Sequence, residues 1–310
     1  MYKIAIAGAS SLLGKELKDA ISESPLAEAA FTLLDDADAQ GQLDQVGDEI
    51  TFVQPIEPDS FEKMDFTFFC GAEELTRRYW TNALRAGSSV LDLTGALDQE
   101  PGVLVRAPWL GTGAGTADLF TPAVVPAHSG ALALALMLER VQDAAPVRFA
   151  AVTLMAPASE FGRGAMDELH QQTVSLARLE DRVRRHYEAL GGGRWPALAL
   201  QAVAAPAFHG HTFSIALELE RAVEISGMEE ALSGSRIDLV LEDTDSPSNL
   251  AATGQNDVLV RLRPIQEGRN PTQTSRYWLW AASDNLRLYA QNAVECALDL
   301  RRLRPQGTVQ

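Results

Sequence analysis

The chain starts with a short apolar strand pattern that runs directly into a turn between two glycines and then a helix pattern. Residues Lys3–Gly8 predict the strand, and Leu12–Ser22 predict the helix, which ends at Ser24-Pro25. Gly8 permits a tight turn, and Gly14 allows the helix to pack closely against the strand. The N-terminus of such a helix offers unpaired backbone N–H groups to a pyrophosphate. This βαβ start therefore predicts a dinucleotide site.

The nucleotide-binding interpretation rests on this loop and on the end of the second strand. We expect the loop contacts to come from Gly8, Ser10, Ser11, Leu12, Leu13 and Gly14. Ser11 departs from the usual fingerprint, because it stands where a glycine would allow the closest backbone approach. Asp35 and Asp36 follow the strand Phe31–Leu34, and a carboxylate there can accept a hydrogen bond from a ribose 2′-OH but repels a 2′-phosphate. This favours NAD over NADP; the alternatives are a turn that binds nothing and a solvated acidic loop.

The pattern of strands predicts an α/β protein with two domains. Strand and helix signals alternate over roughly the first 125 residues, which indicates βαβ units and a Rossmann-type parallel sheet. Within this part, the polar stretch Asp36–Asp48 predicts an exposed loop. In the second half the strands have one apolar and one polar face, as in Thr212–Glu220. Such strands predict an α+β second domain with a mostly antiparallel sheet, one face of which is solvated or covered by a partner.

Composition narrows the range of partners. The net charge of −16, from 26 Lys and Arg against 42 Asp and Glu, opposes binding to nucleic acid or to an anionic membrane, so neither partner is expected. The longest apolar run, Ala131–Leu138, favours a helix but is far shorter than the ~20 residues that span a bilayer. Because the strand pattern begins at Lys3 with no basic-then-apolar stretch before it, a signal segment is not expected. Because the chain has only two cysteines, Cys70 and Cys296, a reducing, cytoplasmic location is expected.

Five segments, in order along nearly the whole chain, together resemble the aspartate-semialdehyde dehydrogenase family. They are Gly8–Gly14, Pro126–Ala131, Ser159–Leu169, Gly210-His211 and Ser283–Arg287. The resemblance implies a dinucleotide-binding domain of residues 1–127, to which a C-terminal helix of residues 286–304 returns. It implies a catalytic-like and dimerisation domain of residues 128–285, and hence a homodimer. It also implies NADP-dependent interconversion of an acyl phosphate and an aldehyde through a cysteine thioester.

The resemblance fails at the nucleophile. His128 stands at the position that matches the family's cysteine, the glutamine that assists the cysteine is missing, and Asp98 replaces a phosphate-binding arginine. His211 matches the family's general-base histidine, and Asn285 and Arg287 match the motif that approaches nicotinamide and substrate. The cofactor half is therefore better preserved than the reaction half, and the sequence is similar to the cysteine-lacking paralogues of the family.

Two other features suggest chemistry but favour simpler interpretations. Cys70 ends an apolar strand at the edge where open α/β sheets bind ligands, yet a cysteine in such a strand is more often part of the core. His209 and His211 flank Gly210, a spacing that suits metal binding. A metal site needs three or four ligands and the sequence shows no carboxylate or cysteine cluster nearby, so no metal is expected.

The residues around the cysteine position also allow more than one role. His128 either acts as a nucleophile or acid/base, or is a hydrogen-bonded loop residue; the second is favoured because the supporting glutamine and arginine are absent. Ser129 near His211 could mimic a hydrolase triad, but it is expected instead to cap the helix that begins near Gly130. His170 and His186 lie in the charged helical stretch Gly164–Leu190 and are expected to face solvent.

Three functions follow from these observations. The leading one is an NAD(P)-binding semialdehyde-dehydrogenase-like protein without phosphorylating dehydrogenase activity. The second is an active nicotinamide-dependent oxidoreductase on an aldehyde or related small metabolite, with His211 and His128 as acid/base. The third is a dimeric interaction protein with an empty cofactor cleft.

Overall fold

The computed structural model describes residues 1–36, 41, 43–47, 49–110, 115–162, 176–241, 246–265 and 273–303. The chain divides into two compact units. Met1–Ala127 and the segment that begins at Tyr289 form the first unit, and His128–Leu288 form the second.

The first unit is an α/β domain. Its strands are β1 (Lys3–Ala7), β2 (Ala30–Asp35), β3 (Leu43–Val46), β4 (Glu49–Phe52), β5 (Gln54–Pro55), β6 (Phe66–Phe69), β7 (Ser89–Asp92), β8 (Leu104–Arg106) and β9 (Val124–Pro126). Seven of them form one sheet in the order β5-β2-β1-β6-β7-β9-β8, with every neighbouring pair parallel. The helices α1 (Leu12–Ser22) and α2 (Glu73–Arg85) follow β1 and β6. The predicted Rossmann-type sheet is confirmed.

The central strands of this sheet are buried on both faces because their side chains are apolar at nearly every position. Ile4 and Ile6 of β1 pack into one core cluster, while Ala5 and Ala7 pack into another on the opposite face. This alternation follows from the two-residue repeat of a strand. Both faces of the sheet are thus covered, as a parallel sheet requires.

One loop prediction for this unit is wrong. The stretch Asp36–Asp48, expected to be a loop, contains β3, which pairs antiparallel with β4 from Leu43↔Phe52 to Val46↔Glu49. Val46 is 3% exposed and belongs to a core cluster, so one apolar side chain and a paired partner strand were enough to order this polar segment. Residues 37–40, 42 and 48 of the stretch lie outside the described part.

The second unit combines helices with a mixed sheet. Its strands are β10 (Val147–Ala156), β11 (Leu198–Ala204), β12 (His211–Glu224), β13 (Ile237–Leu239), β14 (Val258–Pro264) and β15 (Gln273–Ser283). Its helices are α3 (Ser129–Ala144), α4 (Ala177–Gly191), α5 (Ile225–Leu232), α6 (Asn249–Ala252) and the start of α7 (Asn285–Leu300), with a 3₁₀ turn at Ala158–Phe161. The rest of α7 and the 3₁₀ turn Arg301–Leu303 that follows it belong to the first unit. The strand order is β11-β10-β12-β15-β14-β13. Three of its five pairings are antiparallel and two are parallel.

The one-faced strand prediction is confirmed in β12. Phe213, Ile215, Leu217 and Leu219 are at most 2% exposed, while the residues between them are partly accessible. The predicted helix around Ala131–Leu138 is also confirmed, as α3. The helix expected over Gly164–Leu190 is observed only as α4, because residues 163–175 lie outside the described part; it ends at Gly192, which adopts the left-handed conformation that favours glycine.

None of the helices within the described ranges is long and apolar enough to cross a membrane.

Candidate functional site: a nucleotide loop and a buried His-Glu-His cluster

The loop between β1 and α1 has the backbone geometry that its two glycines predicted. Gly8 has a φ of +89°, and a Cβ on it would lie 2.2 Å from the backbone nitrogen of Gly71. A Cβ on Gly14 would lie 2.5 Å from the carbonyl oxygen of Gly8. Neither position has room for a side chain, so both glycines are required for the tight turn and for the close approach of α1 to β1.

Ser11 holds this loop through two hydrogen bonds. Its Oγ accepts a hydrogen bond from the backbone N–H of Gly14 at 2.8 Å, which makes it the N-cap of α1. The same hydroxyl donates to the carbonyl oxygen of Cys70 at the end of β6, also at 2.8 Å. Ser11 therefore replaces the glycine of the usual fingerprint with a cap that ties the loop to the neighbouring strand.

Asp35 lies directly against the loop. One oxygen, Oδ2, accepts the backbone N–H of Ser10 at 2.8 Å, and Oδ1 accepts the N–H of Asp36 at 2.9 Å. In the described part of the chain, the backbone N–H groups of Leu12 and Leu13 have no acceptor, as is normal for the first turn of a helix. The loop thus presents two donors from α1 beside one carboxylate at the end of β2.

Both cysteines are core residues of the first unit. The Cys70 thiol is 3% exposed and donates weakly to the carbonyl oxygens of Ala7 and Gly8, at 3.4 and 3.5 Å. Burial raises the pKa of Cys70 to about 12, because a thiolate there would lose its hydration. Burial likewise raises the pKa of the Cys296 thiol, which is 1% exposed within α7.

In the second unit, His128 is the N-cap of α3. Its ring Nδ1 accepts a hydrogen bond from the N–H of Gly130 at 3.1 Å, and its backbone N–H donates to Nδ1 of His186 at 2.9 Å. The expectation that Ser129 caps this helix is wrong, because the helix begins at Ser129 itself and the imidazole of the preceding residue takes the capping position. The expectation that His186 faces solvent is also wrong, since it is 1% exposed and lies on the buried face of α4. His170 lies outside the described residues.

Glu160 bridges the two histidines that the sequence had singled out. His128 Nε2 lies 2.6 Å from Oε1, and His211 Nε2 lies 3.1 Å from Oε2. Because the Nδ1 of His128 must keep its lone pair to accept from Gly130, its proton resides on Nε2 and is donated to Glu160. Burial lowers the pKa of His128, and this keeps the ring neutral despite the neighbouring carboxylate.

The carboxylate is stabilised as an anion. Burial would raise the pKa of Glu160, but the N–H groups of His128 and His211 that point at its two oxygens outweigh burial and hold the pKa well below its ordinary value. A third donor, Nδ2 of Asn285, lies 3.4 Å from Oε2. The side chain of Glu160 is 14% exposed, so the cluster remains in contact with solvent on one side.

Asn285 ties the cluster to its surroundings. Its Oδ1 accepts hydrogen bonds from the N–H of Gly210 at 3.0 Å and from the hydroxyl of Ser159 at 3.1 Å. Its side chain is 2% exposed and its oxygen is bonded on both sides within the second unit. Asn285 therefore positions the segments that carry His211 and Glu160.

The remaining candidates are arranged differently. Arg287 is one turn from Asp284, the residue that caps α7, and its Nε donates to Oδ1 of Asn256 at 2.6 Å. His211 is fully buried, and in the described part of the chain its Nδ1 has no hydrogen-bond partner. The described residues contain no group of three or more His, Cys, Asp or Glu side chains arranged to hold a metal ion.

Comparisons with known proteins agree with this architecture. The family model "Semialdehyde dehydrogenase, NAD binding domain" matches residues 3–132. A USG-1 protein homolog from Pseudomonas aeruginosa is 26% identical, with 92% of this chain and 93% of that protein covered. An aspartate-semialdehyde dehydrogenase from Rickettsia bellii is 22% identical over 96% of this chain and 97% of that enzyme. Residues 3–132 thus match the NAD-binding domain of the semialdehyde dehydrogenases, and the chain as a whole is similar to aspartate-semialdehyde dehydrogenases.

A solved structure supports the same fold for the whole chain. A probable aspartate-semialdehyde dehydrogenase from Pseudomonas aeruginosa superposes with a TM-score of 0.81 at 24% identity, covering 97% of this chain and 98% of that one. The solved structure confirms the fold, and the sequence matches bear out the resemblance. The matching NAD-binding domain model also supports a nicotinamide cofactor for the first domain.

Glu160 is the site residue that sequence reasoning missed. It lies inside the segment Ser159–Leu169, which carried part of the resemblance. The one available signal was its charge, because Glu160 is the only ionisable residue between Met155 and Phe161. A carboxylate in such a stretch is costly to bury unless it has partners, which points to histidines elsewhere in the chain.

Proposed function

We propose that this protein is a nicotinamide-dinucleotide-binding member of the family that does not carry out thiolate-dependent, phosphorylating dehydrogenation. The observation that carries the proposal is the state of His128 at the matching cysteine position. Both of its ring nitrogens are committed, Nδ1 to the N–H of Gly130 and Nε2 to Glu160. A nucleophile needs a free electron pair, and this imidazole has none to offer while α3 stays capped.

Neither cysteine supplies the missing nucleophile. Cys70 and Cys296 belong to the first unit, are buried, and have raised pKa values. The nucleophile of a thioester mechanism is the thiolate, which burial disfavours at neutral pH. The second unit, His128–Leu288, contains no cysteine in its sequence.

We infer that NAD is the preferred cofactor. The amides of Leu12 and Leu13 would meet the pyrophosphate, and the Asp35 carboxylate would accept a hydrogen bond from a ribose hydroxyl. A 2′-phosphate near Asp35 would bring two negative charges together. Calorimetric titration should show tighter binding of NAD than of NADP. In the Asp35→Ser variant, the difference between the two affinities should be smaller. Tighter binding of NADP to the unaltered protein would refute the preference.

The activity test uses aspartate semialdehyde, phosphate and either NAD or NADP. We expect no nicotinamide reduction above the protein-free rate, in an assay where a cysteine-containing member of the family turns over. Turnover comparable with that enzyme would overturn the proposal. If such turnover disappeared in Cys70→Ala, the nucleophile would be Cys70 and the burial argument would be wrong.

A second candidate function is supported by the environment of His211. Its Nε2 donates to the Glu160 carboxylate, which fixes the ring proton on Nε2 and leaves the lone pair of Nδ1 without a hydrogen-bond partner in the described part of the chain. With a bound nicotinamide, one proton carrier is enough for hydride exchange with an aldehyde or related small metabolite. His128 would contribute to this reaction only by holding Glu160. A search for such turnover should give activity that His211→Ala abolishes while nucleotide binding is retained.

We also propose that the protein is a homodimer that associates through the outer face of the second unit's sheet. Trp278 pairs with Ala216 across β12 and β15 and is 47% exposed, and Phe149 on β10, on the same face, is 51% exposed. Large exposed apolar side chains on one sheet face suit an interface. Sedimentation should give a dimer at micromolar concentration and a monomer for Trp278→Glu. A dimer that binds neither nucleotide would instead be an interaction protein.

A further inference from the structure

Three N–H donors from different parts of the second unit converge on a single carboxylate. They are Nε2 of His128 at 2.6 Å, Nε2 of His211 at 3.1 Å and Nδ2 of Asn285 at 3.4 Å from the oxygens of Glu160. The first serves Oε1 and the other two serve Oε2. The two oxygens of one carboxylate are therefore both engaged, which is how proteins recognise carboxylate ligands.

Two of the three donors are held in place by hydrogen bonds that do not involve Glu160, and the third is held by its burial at the start of a strand. The His128 ring is fixed by the N–H of Gly130 at the start of α3, and Asn285 is fixed by Gly210 and Ser159. His211 is the first residue of β12 and is completely buried. Because a helix, a strand and a helix start position the donors, their convergence should persist when the carboxylate is removed.

Glu160 itself is attached less rigidly. It lies in a four-residue 3₁₀ turn, Ala158–Phe161, and its side chain is 14% exposed. The carboxylate thus reaches a preformed donor set from a short turn, on the side that solvent can enter. It also bridges the Nε2 atoms of His128 and His211, whose ring centroids are 5.7 Å apart.

We propose that the His128–His211–Asn285 donor set is a carboxylate-binding site, that Glu160 occupies it as an internal ligand, and that a short free monocarboxylate such as formate or acetate binds there when Glu160 is truncated. In the intact protein Glu160 competes with any external carboxylate for the same donors. This goes beyond the proposed function, because it concerns the second unit alone and does not depend on the nucleotide or on turnover.

The experiment is a chemical rescue of Glu160→Ala, followed by thermal unfolding. Alanine removes the carboxylate and leaves space for a small anion beside the three donors. Titration with sodium formate or acetate should raise the melting temperature saturably, on the order of 2 °C when the ligand reaches about ten times its dissociation constant. Sodium chloride at equal ionic strength and the neutral analogue formamide should each give a much smaller shift.

Two variants make the result specific. In Glu160→Ala combined with His128→Asn, one donor to the anion is lost, and the apparent affinity for formate should fall about tenfold or more. Glu160→Gln keeps the side chain in the site, so it should respond to formate no more than to chloride. The unaltered protein should behave in the same way, because its own carboxylate fills the site.

Several outcomes would overturn the inference. In the first, Glu160→Ala has native circular dichroism but its melting temperature does not rise with formate. In the second, the rise in melting temperature with formate is undiminished when His128→Asn is added to Glu160→Ala. If Glu160→Ala is unfolded in chloride, its refolding yield becomes the readout; recovery in formate supports the site, and equal failure in both salts refutes it. None of these results bears on dehydrogenase turnover, so the two proposals fail independently.

Discussion

The hydrogen bond between His128 and Glu160 can be measured by a double-mutant cycle. His128→Asn keeps a side chain that caps helices well but is too short to reach Glu160. Glu160→Gln keeps the shape of the side chain and removes its charge. Each single change also alters packing and hydration, yet these contributions cancel in the cycle and leave the interaction between the two side chains.

The structure sets the expected size of this interaction. The two atoms are 2.6 Å apart, His128 is 1% exposed and Glu160 is 14% exposed, so solvent screens the contact little. Hydrogen bonds to buried charged groups contribute about 1.5–3 kcal/mol, and we expect a coupling free energy in that range. The assay is urea unfolding at pH 7.5, followed by tryptophan fluorescence, of the unaltered protein, both single variants and the double variant.

The same cycle can contradict the assignment. A coupling free energy below about 0.5 kcal/mol would mean that His128 does not hold the carboxylate and that its Nε2 is not committed to Glu160. A cap-only role predicts that His128→Asn is nearly neutral in both backgrounds. We expect instead that His128→Asn lowers the free energy of unfolding by a large amount when residue 160 is Glu and by a small amount in the Glu160→Gln variant.

Three further predictions can be checked with standard measurements. Because burial lowers the pKa of His128, the unfolded chain binds a proton that the folded chain does not, so stability should be full above about pH 6.5 and fall as the pH drops below it. The folded pKa of Glu160 is also depressed, so its contribution should be lost only as the pH falls below about 4.5. Chemical unfolding from about pH 2 to about pH 8 should show both losses. Gly14→Ala should destabilise the protein by about 2 kcal/mol or more and weaken nucleotide binding, because its Cβ would lie 2.5 Å from a carbonyl oxygen. Gly227→Ala is the control, because the atom nearest to its Cβ is a side-chain carbon at 3.5 Å; it should be neutral or stabilising by about 1 kcal/mol. Thermal unfolding of the two variants beside the unaltered protein measures both effects. Neither cysteine should react with a thiol reagent in the native state, because both thiols are buried and their pKa values are raised; fast modification of Cys70 before unfolding would contradict this.

Sequence patterns recovered the features that depend on near neighbours. The Gly8–Gly14 loop and α1 lie within a dozen residues of each other, so local backbone rules were sufficient. The alternation in β12 likewise showed which side chains are buried, because a strand repeats every two residues. The prediction that His186 faces solvent was wrong, although the spacing of Leu179, Val183 and Leu190 places it on the apolar face of α4. That prediction followed from the polarity of histidine, while the apolar periodicity in the sequence indicated burial.

The sequence alone determined the class of the fold and the place of the glycine turn between β1 and α1, and it carried the resemblance in which His128 matches the cysteine position. These follow from local conformational preferences and from the order of short segments. Only the tertiary structure decided that Glu160 joins His128 and His211, because its partners are 32, 51 and 125 residues away along the chain. A buried charge is stable only where folding brings donors to it, and no local pattern encodes which donors those will be.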